Sequence, residues 1–300
     1  MNSLLSICDI KDEVSGILEL AKDFKDGKIE GKPLKDKNLA MIFQKSSTRT
    51  RVSFEVGMNQ LGGNSLFLSN DDIQMGRGEP ISDTAKVLSR YVDGIMIRAI
   101  EHEDVVELAK EADVPIISGL TNLEHPCQAL ADMLTVKEQF GNFEGKFAYV
   151  GDGNNVCNSL LLICASLGMD IAVGCPKGYE PNPDIVKKAN KIAERNNSYI
   201  IITEDVEVAV KNAVTVYTDV WVSMGDEKQE GKRRKVFRKY QVNEELMKLA
   251  NKDAIFMHCL PAIRGEEVTA EVIDSPQSVV IDQAENRLHA QKAVLYHFLK

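Results

Sequence analysis

Residues 39–51 read Leu39-Ala40-Met41-Ile42-Phe43-Gln44-Lys45-Ser46-Ser47-Thr48-Arg49-Thr50-Arg51. The first five are apolar and predict a strand, and Phe54, Met58 and Leu61 continue at the spacing of one helix face. Three cationic side chains and four hydroxyls therefore crowd a strand-to-helix turn. A serine or threonine there caps the helix, whose remaining N–H groups and dipole attract anions. Because the arginine fork also fits phosphate oxygens, the turn predicts a phosphate site.

The simpler interpretation of this turn is a capped helix with solvated basic residues. We favour the phosphate site because so many arginine and hydroxyl groups fall within seven residues, 45–51. The turn is not a P-loop, since the spacing Gly-x4-Gly-Lys is absent from it.

The composition is that of a globular protein long enough for two domains. Of its 300 residues, 44% are hydrophobic and 27% are charged. The net charge of −9 argues against nonspecific nucleic-acid binding, so we expect no nucleic-acid partner. No apolar run approaches the ~20 residues that span a bilayer, and the first residues carry no apolar signal core. We therefore expect no membrane partner and a cytoplasmic location.

The six cysteines are scattered and predict reduced thiols, as in cytosolic proteins. A zinc site built from His125 with Cys127, and from His258 with Cys259, is conceivable. Their spacings do not match the usual ligand pairs, so we expect no metal. The cysteines are Cys8, Cys127, Cys157, Cys164, Cys175 and Cys259.

Short apolar strands alternate with helical patterns along the whole chain, which predicts an α/β protein. Near-continuous apolar strands between helices indicate two similar domains, each a parallel sheet covered by helices. The polar bridge Gly141–Gly145 marks the boundary between them, and the charged segment Gly225–Lys239 is predicted to be a solvated, mobile loop. The predicted strands are Leu39–Phe43, Ser65–Leu68, Gly94–Ile97, Pro115–Ser118, Phe147–Val150, Ile171–Gly174, Tyr199–Thr203, Val214–Thr218, Ala254–Met257 and Ser278–Ile281. The predicted helices are Thr50–Leu61, Ile81–Tyr91, Glu103–Ala112, Pro126–Phe140, Val156–Leu167, Pro183–Asn196, Asn243–Ala250 and Gln283–Phe298.

Polar side chains recur where the predicted strands end. In open parallel sheets, ligands bind outside the carboxyl ends of the strands, and a cleft between two such domains is a common ligand site. The first domain supplies mainly cations and hydroxyls, and the second supplies a carboxylate, an amide, a hydroxyl and a thiol. We therefore expect an active site in the cleft, with an anion bound by the first domain and an amine by the second. The residues at strand ends are Ser47–Thr50, Arg98, His125, Asn155, Asp219, His258 and Cys259.

The segment Gly151-Asp152-Gly153-Asn154-Asn155-Val156 resembles a nicotinamide fingerprint only in part. Val156 occupies the third glycine position, and no acidic residue ends the next strand to hold a ribose. We reject the dinucleotide and predict no cofactor. The glycines are instead expected to allow close approach of a small substrate, to which Asn155 offers an amide.

Four motifs resemble those of the carbamoyltransferase family, in order and across essentially the whole chain. Ser47-Thr48-Arg49-Thr50-Arg51 is similar to the family's carbamoyl-phosphate signature, and His125-Pro126-Cys127-Gln128 to its second motif. Asp219-Val220-Trp221-Val222-Ser223-Met224-Gly225 and His258-Cys259-Leu260-Pro261 resemble the segments that mark the ornithine branch. The resemblance implies transfer of a carbamoyl group from carbamoyl phosphate to the δ-amine of L-ornithine, within arginine biosynthesis.

The resemblance also implies domains and a partner. Residues 1–140 would bind carbamoyl phosphate and be closed by the C-terminal helix 283–300, and residues 141–282 would bind ornithine. Gln74 would reach a neighbouring subunit's site in a homotrimer. Arg98, His125 and Cys259 would be catalytic. Carbamoyl phosphate would contact Ser47, Thr48, Arg49, Thr50, Gln74, Arg98, His125, Pro126, Cys127, Gln128, Cys259, Leu260 and Arg287, and ornithine would contact Asn155, Asp219, Ser223 and Met224.

Two alternatives remain. A related enzyme could carbamoylate another amine; aspartate would require cationic groups where Asp219 and Ser223 lie, whereas putrescine is less firmly excluded. A non-catalytic carbamoyl-phosphate sensor would have lost acceptor-side residues, and none is missing here.

Overall fold

A computed structural model describes residues 3–222 and 227–300. Its chain forms two compact units, one of Met1–Leu134 with Glu285–Lys300 and one of Thr135–Ala284. The strands are β1 (Asn38–Phe43), β2 (Asn64–Ser69), β3 (Gly94–Arg98), β4 (Ile116–Leu120), β5 (Lys146–Val150), β6 (Asp170–Gly174), β7 (Ile200–Thr203), β8 (Ala213–Thr218) and β9 (Ile255–His258). The α-helices are α1 (Val14–Lys25), α2 (Thr48–Gln60), α3 (Ile81–Leu88), α4 (His102–Glu111), α5 (Pro126–Phe140), α6 (Asn155–Leu167), α7 (Pro183–Asn196), α8 (Val206–Val210), α9 (Glu230–Phe237), α10 (Glu244–Met247), α11 (Ala270–Ile273) and α12 (Val280–Leu299). Short 3-10 helices span Ile7–Ile10, Gln74–Arg77, Glu227–Gln229 and Arg238–Tyr240.

The first unit contains a parallel sheet in the order β2-β1-β3-β4. Strands β1, β3 and β4 are almost wholly buried, because helices cover a sheet whose strands are apolar on both faces. Helix α1, which the sequence analysis did not predict, buries one face that includes Ile17, Leu18 and Phe24. The chain crosses from one side of β1 to the other between β2 and β3, so the order reverses at the β1/β3 pair.

The second unit repeats this plan with a parallel sheet in the order β7-β6-β5-β8-β9. Helix α6 is almost entirely buried, and Gly168 ends it in the left-handed conformation at φ 70°. Here the chain crosses over between β7 and β8, and the order reverses at the β5/β8 pair. Ligands in open α/β sheets bind outside the carboxyl ends of the strands at such a reversal. The two units therefore each predict one ligand site, after β1/β3 and after β5/β8.

The predicted fold class of two domains with helix-covered parallel sheets is confirmed, and so are most of the predicted elements. The strand predicted at Ser278–Ile281 is wrong: Ser278 makes an isolated bridge with Phe256, and α12 begins at Val280. A short apolar run can be a strand or the first turn of a buried helix, and periodicity does not separate them.

The mobile loop predicted at Gly225–Lys239 is also wrong over its described part. Residues 227–240 form two 3-10 turns and the helix α9, while Gly225 and Asp226 lie outside the described residues. Arg233 and Phe237 are buried on this helix, so one basic residue of the run Lys232-Arg233-Arg234-Lys235 faces the protein interior. Within the part of the chain that the structure describes, no helix is long and apolar enough to cross a membrane.

Candidate functional site

The turn after β1 presents the beginning of α2. Ser47 is its N-cap, with extended backbone, and its hydroxyl accepts a hydrogen bond from the Thr50 backbone N–H at 3.3 Å. Thr48 is exposed, Ser47 and Arg49 are half-buried, and Thr50 is buried. Serine capping satisfies one N–H group and leaves the helix N-terminus, with its partial positive charge, beside Arg49.

Arg98 and His125 are brought to the same region of the first unit. Arg98 is the last residue of β3 and pairs with Phe43 at the end of β1, and a register irregularity between Ile97 and Arg98 distinguishes this position from the regular ladder. His125 directly precedes α5 and is buried. Burial and then the positive charges of Arg287, Arg98 and Arg49 hold the pKa of His125 well below its ordinary value. His125 is therefore a neutral imidazole surrounded by guanidinium groups.

Arg287 of α12 ties three helices of this unit together. Its Nη1 donates to Gln128 Oε1 at 2.6 Å, and its Nη2 donates to the Thr50 hydroxyl at 3.2 Å. Gln128 Nε2 in turn donates to Asp132 Oδ1 at 2.8 Å, which fixes the amide orientation. All four side chains are buried, so this network sets the position of Thr50 from the far end of the sequence.

Three other predicted residues of this unit, Pro126, Cys127 and Gln74, lie outside this hydrogen-bond network. Pro126 is buried at the beginning of α5, where its fixed φ suits the first turn. Cys127 is fully buried and donates to the Ser118 carbonyl at 3.6 Å, and burial raises the pKa of its thiol to about 12. Gln74 is exposed and begins the short helix Gln74–Arg77. Cys127 thus remains a neutral thiol in the core, and Gln74 lies on the surface of its own chain.

The neutral state of His125 can be tested by its titration. We expect its ring resonances, identified by their absence in His125→Gln, to remain in the neutral position at pH values below ~6.5, where an exposed histidine is already protonated. NMR of the protein with labelled histidine measures this. A His125 midpoint at or above that ordinary value would contradict the arrangement of surrounding cations.

The lowered pKa of His125 also makes the free energy of unfolding depend on pH. The folded protein resists protonating His125, so the unfolded chain binds that proton more readily. The contribution to the free energy of unfolding is present above ~6.5 and is lost as the pH falls below that value.

A carboxylate lies at the β5/β8 reversal of the second unit. Asp219, which directly follows β8, is buried; its Oδ2 accepts from Asn154 Nδ2 at 2.7 Å and its Oδ1 from the Cys259 thiol at 2.9 Å. The Val220 backbone N–H donates to the same Oδ1 at 2.8 Å. Three neutral donors therefore hold the carboxylate in one orientation and leave its charge uncompensated by these partners.

Asn154, which the sequence analysis did not select as a site residue, makes the contact with Asp219. Asn154 is the N-cap of α6, and its Oδ1 accepts from the backbone N–H groups of Val156 and Cys157. The Tyr149 hydroxyl also donates to this oxygen at 3.2 Å, and burial followed by the charge of Asp219 raises the pKa of Tyr149 well above its ordinary value. The preference for asparagine at helix N-caps is the sequence signal that identifies Asn154.

The segment after β9 is fixed by a buried histidine–glutamate pair. His258 Nδ1 accepts from the Leu260 backbone N–H at 2.8 Å, and its Nε2 lies 3.2 Å from Glu267 Oε1. Because Nδ1 is an acceptor, the ring proton lies on Nε2 and donates to Glu267. Leu260 has a φ of 57°, a left-handed conformation rare for leucine, and this hydrogen bond helps to hold it. The pair thereby places the Cys259 thiol against Asp219.

The remaining predicted residues complete the placement. Asn155 is half-buried as the first residue of α6. Ser223 and Met224 lie outside the described residues. Sequence reasoning missed Glu267, which no motif marked.

The glycine at position 153 has a neighbour other than the predicted ligand. A Cβ there would lie 2.2 Å from the Pro181 backbone nitrogen, so the chain at 180–181 requires the glycine.

The donor atoms of Asp219, His258 and Cys259 lie within 4.8 Å of one another. Metal ligation there competes with hydrogen bonds already present. Both imidazole nitrogens of His258 are engaged by Leu260 and Glu267, and the Cys259 thiol donates to Asp219. The geometry is that of a hydrogen-bond network.

Comparisons with known proteins identify the family of this chain. Residues 2–138 match the model of the aspartate/ornithine carbamoyltransferase, carbamoyl-P binding domain, and residues 144–298 match that of the Asp/Orn binding domain. The chain is 72% identical to the ornithine carbamoyltransferase of Methanobrevibacter smithii over 100% of both chains. It is 65% identical to that of Methanothermobacter thermautotrophicus, covering 99% of this chain and 98% of the relative.

A solved structure of the same kind of enzyme has the same fold as this chain. The ornithine carbamoyltransferase from Pyrococcus furiosus matches with a TM-score of 0.96 and 54% identity, over 99% of this chain and 97% of that one. Since both domain models and full-length relatives cover the chain, it belongs to the aspartate/ornithine carbamoyltransferase family.

Proposed function

We propose that this protein transfers the carbamoyl group of carbamoyl phosphate to the δ-amine of L-ornithine, giving L-citrulline and phosphate. The observation that carries the proposal is a difference in charge between the two units. The groups that lie where the strand order reverses are positive in the first unit and negative in the second. Guanidinium groups and a helix N-terminus lie after β1/β3, whereas the carboxylate of Asp219 lies after β5/β8. An anionic donor substrate and a cationic acceptor substrate match these two sites.

On the donor side, the beginning of α2 binds the phosphate. The hydroxyls of Ser47, Thr48 and Thr50 and the fork of Arg49 surround the helix N-terminus, where backbone N–H groups and the dipole favour an anion. As the phosphate leaves it gains charge, so these preorganised groups stabilise the transition state more than the bound substrate.

The carbonyl oxygen of carbamoyl phosphate is bound by Arg98, His125 and Thr50. The neutral state of His125 suits this role, because its ring N–H can donate while the arginines supply the positive charge. Gln128, whose amide is oriented by Arg287 and Asp132, accepts from the carbamoyl amino group. Pro126 and Cys127 support this end of α5 from the core, and Gln74 completes the site from a neighbouring subunit.

On the acceptor side, Asp219 and Asn155 bind the ammonium and carboxylate ends of ornithine together with Ser223 and Met224. Asp219 attracts the ligand's positive charge, and its position is fixed by Asn154 and Cys259.

The reaction proceeds by direct attack. The uncharged δ-amine forms the new C–N bond, negative charge develops on the carbonyl oxygen, and the C–O bond to phosphate then breaks. The attacking nitrogen gives up one proton to the departing phosphate, which leaves with the electron pair of the broken C–O bond. Cys259 and the Leu260 backbone position the amine and the carbamoyl group, and no bond forms to the thiol. Arg287 acts through Thr50 and Gln128.

We assign carbamoyl-phosphate binding to residues 1–140 with the helix 283–300, and ornithine binding to residues 141–282. The proposed mechanism uses side chains and backbone groups alone, without cofactor or metal. A cytoplasmic location and a role in arginine biosynthesis suit this reaction.

The test is to incubate the purified protein with carbamoyl phosphate and a panel of amines containing ornithine, putrescine and aspartate. Mass spectrometry identifies the carbamoylated product. We expect citrulline with equimolar phosphate, unchanged after treatment with a chelator. Carbamoylputrescine as the main product would overturn the acceptor assignment, and lost activity that zinc restores would overturn the metal-free mechanism.

We further propose that the protein forms a homotrimer with shared sites. The outer face of α2 and β2 exposes the apolar side chains of Val52, Val56, Leu66 and Phe67. Several of them line a depression of about 630 Å³, which also reaches Ser47 and Thr48. An exposed apolar surface next to the phosphate turn supports a protein partner there, and a second copy carrying the exposed Gln74 fits it.

Shared sites predict complementation between two inactive variants, Gln74→Ala and Arg98→Ala. After subunit exchange at equal amounts, about a quarter of the sites should combine an intact Arg98 with an intact neighbouring Gln74, and activity should return in proportion. The mixture's citrulline formation is measured against each variant alone.

The matched control mixes Arg49→Ala with Arg98→Ala. Both residues belong to the donor site of one and the same chain, after β1 and at the end of β3, so every mixed site lacks one of them and no activity should return. Recovery in this control, or none in verified Gln74→Ala and Arg98→Ala hybrids, would refute the sharing of Gln74.

A further inference from the structure

Two buried carboxylates lie at the carboxyl ends of the neighbouring strands β5 and β8. Asp152 follows β5 in the turn before α6, and Asp219 follows β8. Burial followed by charges that include both carboxylates raises the pKa of Tyr149, so both act on the same region. Only one carboxylate is needed for a singly charged ammonium group, and a second would compete for it.

Arg233 of α9 engages the first of these carboxylates. Its Nη1 donates to Asp152 Oδ2 at 2.8 Å, and the same nitrogen donates to the Trp221 carbonyl at 3.1 Å. Its guanidinium carbon lies 5.0 Å from the ring centroid of Tyr179 and 6.0 Å from that of Phe237. The arginine is buried, so both its charge and its planar shape are used in this position.

The contact with Trp221 links α9 to the acceptor segment. Trp221 is two residues beyond Asp219 and is buried, with its ring stacked on Phe237 at 6.2 Å. Arg233 therefore connects the chain leaving β8 to the turn that contains Asp152, two residues before Asn154. Asn154 donates a hydrogen bond to Asp219. The Arg233 guanidinium therefore supports both the turn that leads to Asn154 and the segment that follows Asp219.

We propose that Arg233 is a positioning residue for the acceptor substrate. It fixes the chain after Asp219 through the Trp221 carbonyl, and it neutralises Asp152 so that Asp219 alone presents its charge to the ligand's ammonium group. This inference rests on the proposed function. It separates Arg233 from its neighbour Arg234, which is half exposed and pairs with Glu230 and Glu266.

The experiment compares Arg233→Met and Arg233→Lys with the matched control Arg234→Met in the full-length protein. We expect Arg233→Met to raise the KM for ornithine about 10- to 100-fold, since a small displacement of a binding group is sufficient for such a loss. The KM for carbamoyl phosphate should change less than about 2-fold, because the groups proposed to bind its phosphate lie in the other unit. Arg233→Lys keeps the charge but loses the fork and the stacking, and should give an intermediate KM for ornithine.

A second readout does not depend on turnover. Trp221 is the only tryptophan in the sequence, so its fluorescence reports this contact directly. We expect its emission to shift to longer wavelength in Arg233→Met and to stay unchanged in Arg234→Met. If Arg233→Met does not fold, Arg233→Lys carries both measurements.

The proposal requires both effects. An unchanged Trp221 emission, or an ornithine KM in the Arg233 variants equal to that of Arg234→Met, would overturn it. Equal increases in the KM values for both substrates would also overturn it, since that indicates general loss of structure. If the parent protein formed no citrulline, the proposed function would fail, whereas the emission of Trp221 would still decide whether Arg233 holds the segment.

Discussion

Replacing Asp219 by asparagine should lower kcat/KM for ornithine by about 10²- to 10³-fold, because truncating one partner of a buried charge pair costs ~2–5 kcal/mol. Asp219 is buried and accepts hydrogen bonds from Asn154, Cys259 and the Val220 N–H. The amide removes the charge that attracts the acceptor's ammonium group. It also turns its NH₂ toward one of these existing donors, so the side chain loses its fixed orientation as well.

Steady-state kinetics with each substrate varied in turn measures this effect. The loss should appear mainly in the KM for ornithine, whereas the KM for carbamoyl phosphate should change little. Asp253→Asn is the control, since Asp253 is exposed in the same unit and pairs with Lys252. Equal ornithine kinetics in the two variants would contradict the assignment of Asp219.

Arg49→Lys should lower kcat/KM for carbamoyl phosphate by about 10²- to 10³-fold, the usual effect of removing one preorganised donor from developing charge. Lysine keeps the charge but loses the planar fork that binds two phosphate oxygens at once. Because the phosphate gains charge as it leaves, kcat should fall together with substrate affinity. The half-buried position of Arg49 in the first turn of α2 leaves a shorter, more strongly hydrated ammonium poorly placed to substitute for it.

The control for Arg49 is Arg90→Lys, an exposed arginine after α3 in the same unit. Carbamoyl-phosphate binding can be measured without turnover by calorimetry, which separates affinity from the chemical step. Normal affinity and normal kcat in Arg49→Lys would mean that Arg49 lies outside the phosphate site.

Most strands and helices of this protein could be predicted from the sequence, because each depends on side chains only a few residues apart. The apolar run before Lys45 and the helical spacing after Thr50 predicted β1 and α2, and Ser47 is indeed the N-cap. The apolar strands between helices predicted the two parallel sheets. Arg98, Asp219 and His258 lie at or directly after strand ends as expected, and their ligand-binding roles stay predictions. Periodicity failed at Ser278–Ile281, where an apolar run fits a strand and a helix equally well.

Pairing between distant residues was decided by the tertiary structure alone. Asn154 and Asp219 are 65 residues apart, and Arg287 lies 159 residues from Gln128 and 237 from Thr50. The order of strands in each sheet and the packing of α12 bring these residues together, and no local pattern encodes either. The neutral state of His125 likewise follows from burial among three arginines that are scattered along the chain. Arg233 shows the same limit: its charged neighbours predict a solvated loop, whereas Asp152, Trp221 and two aromatic rings make it a buried residue. The sequence determined which chemical groups reach each sheet edge, and the fold determined which of them are held together and in what charge state, because burial and long-range contact set both.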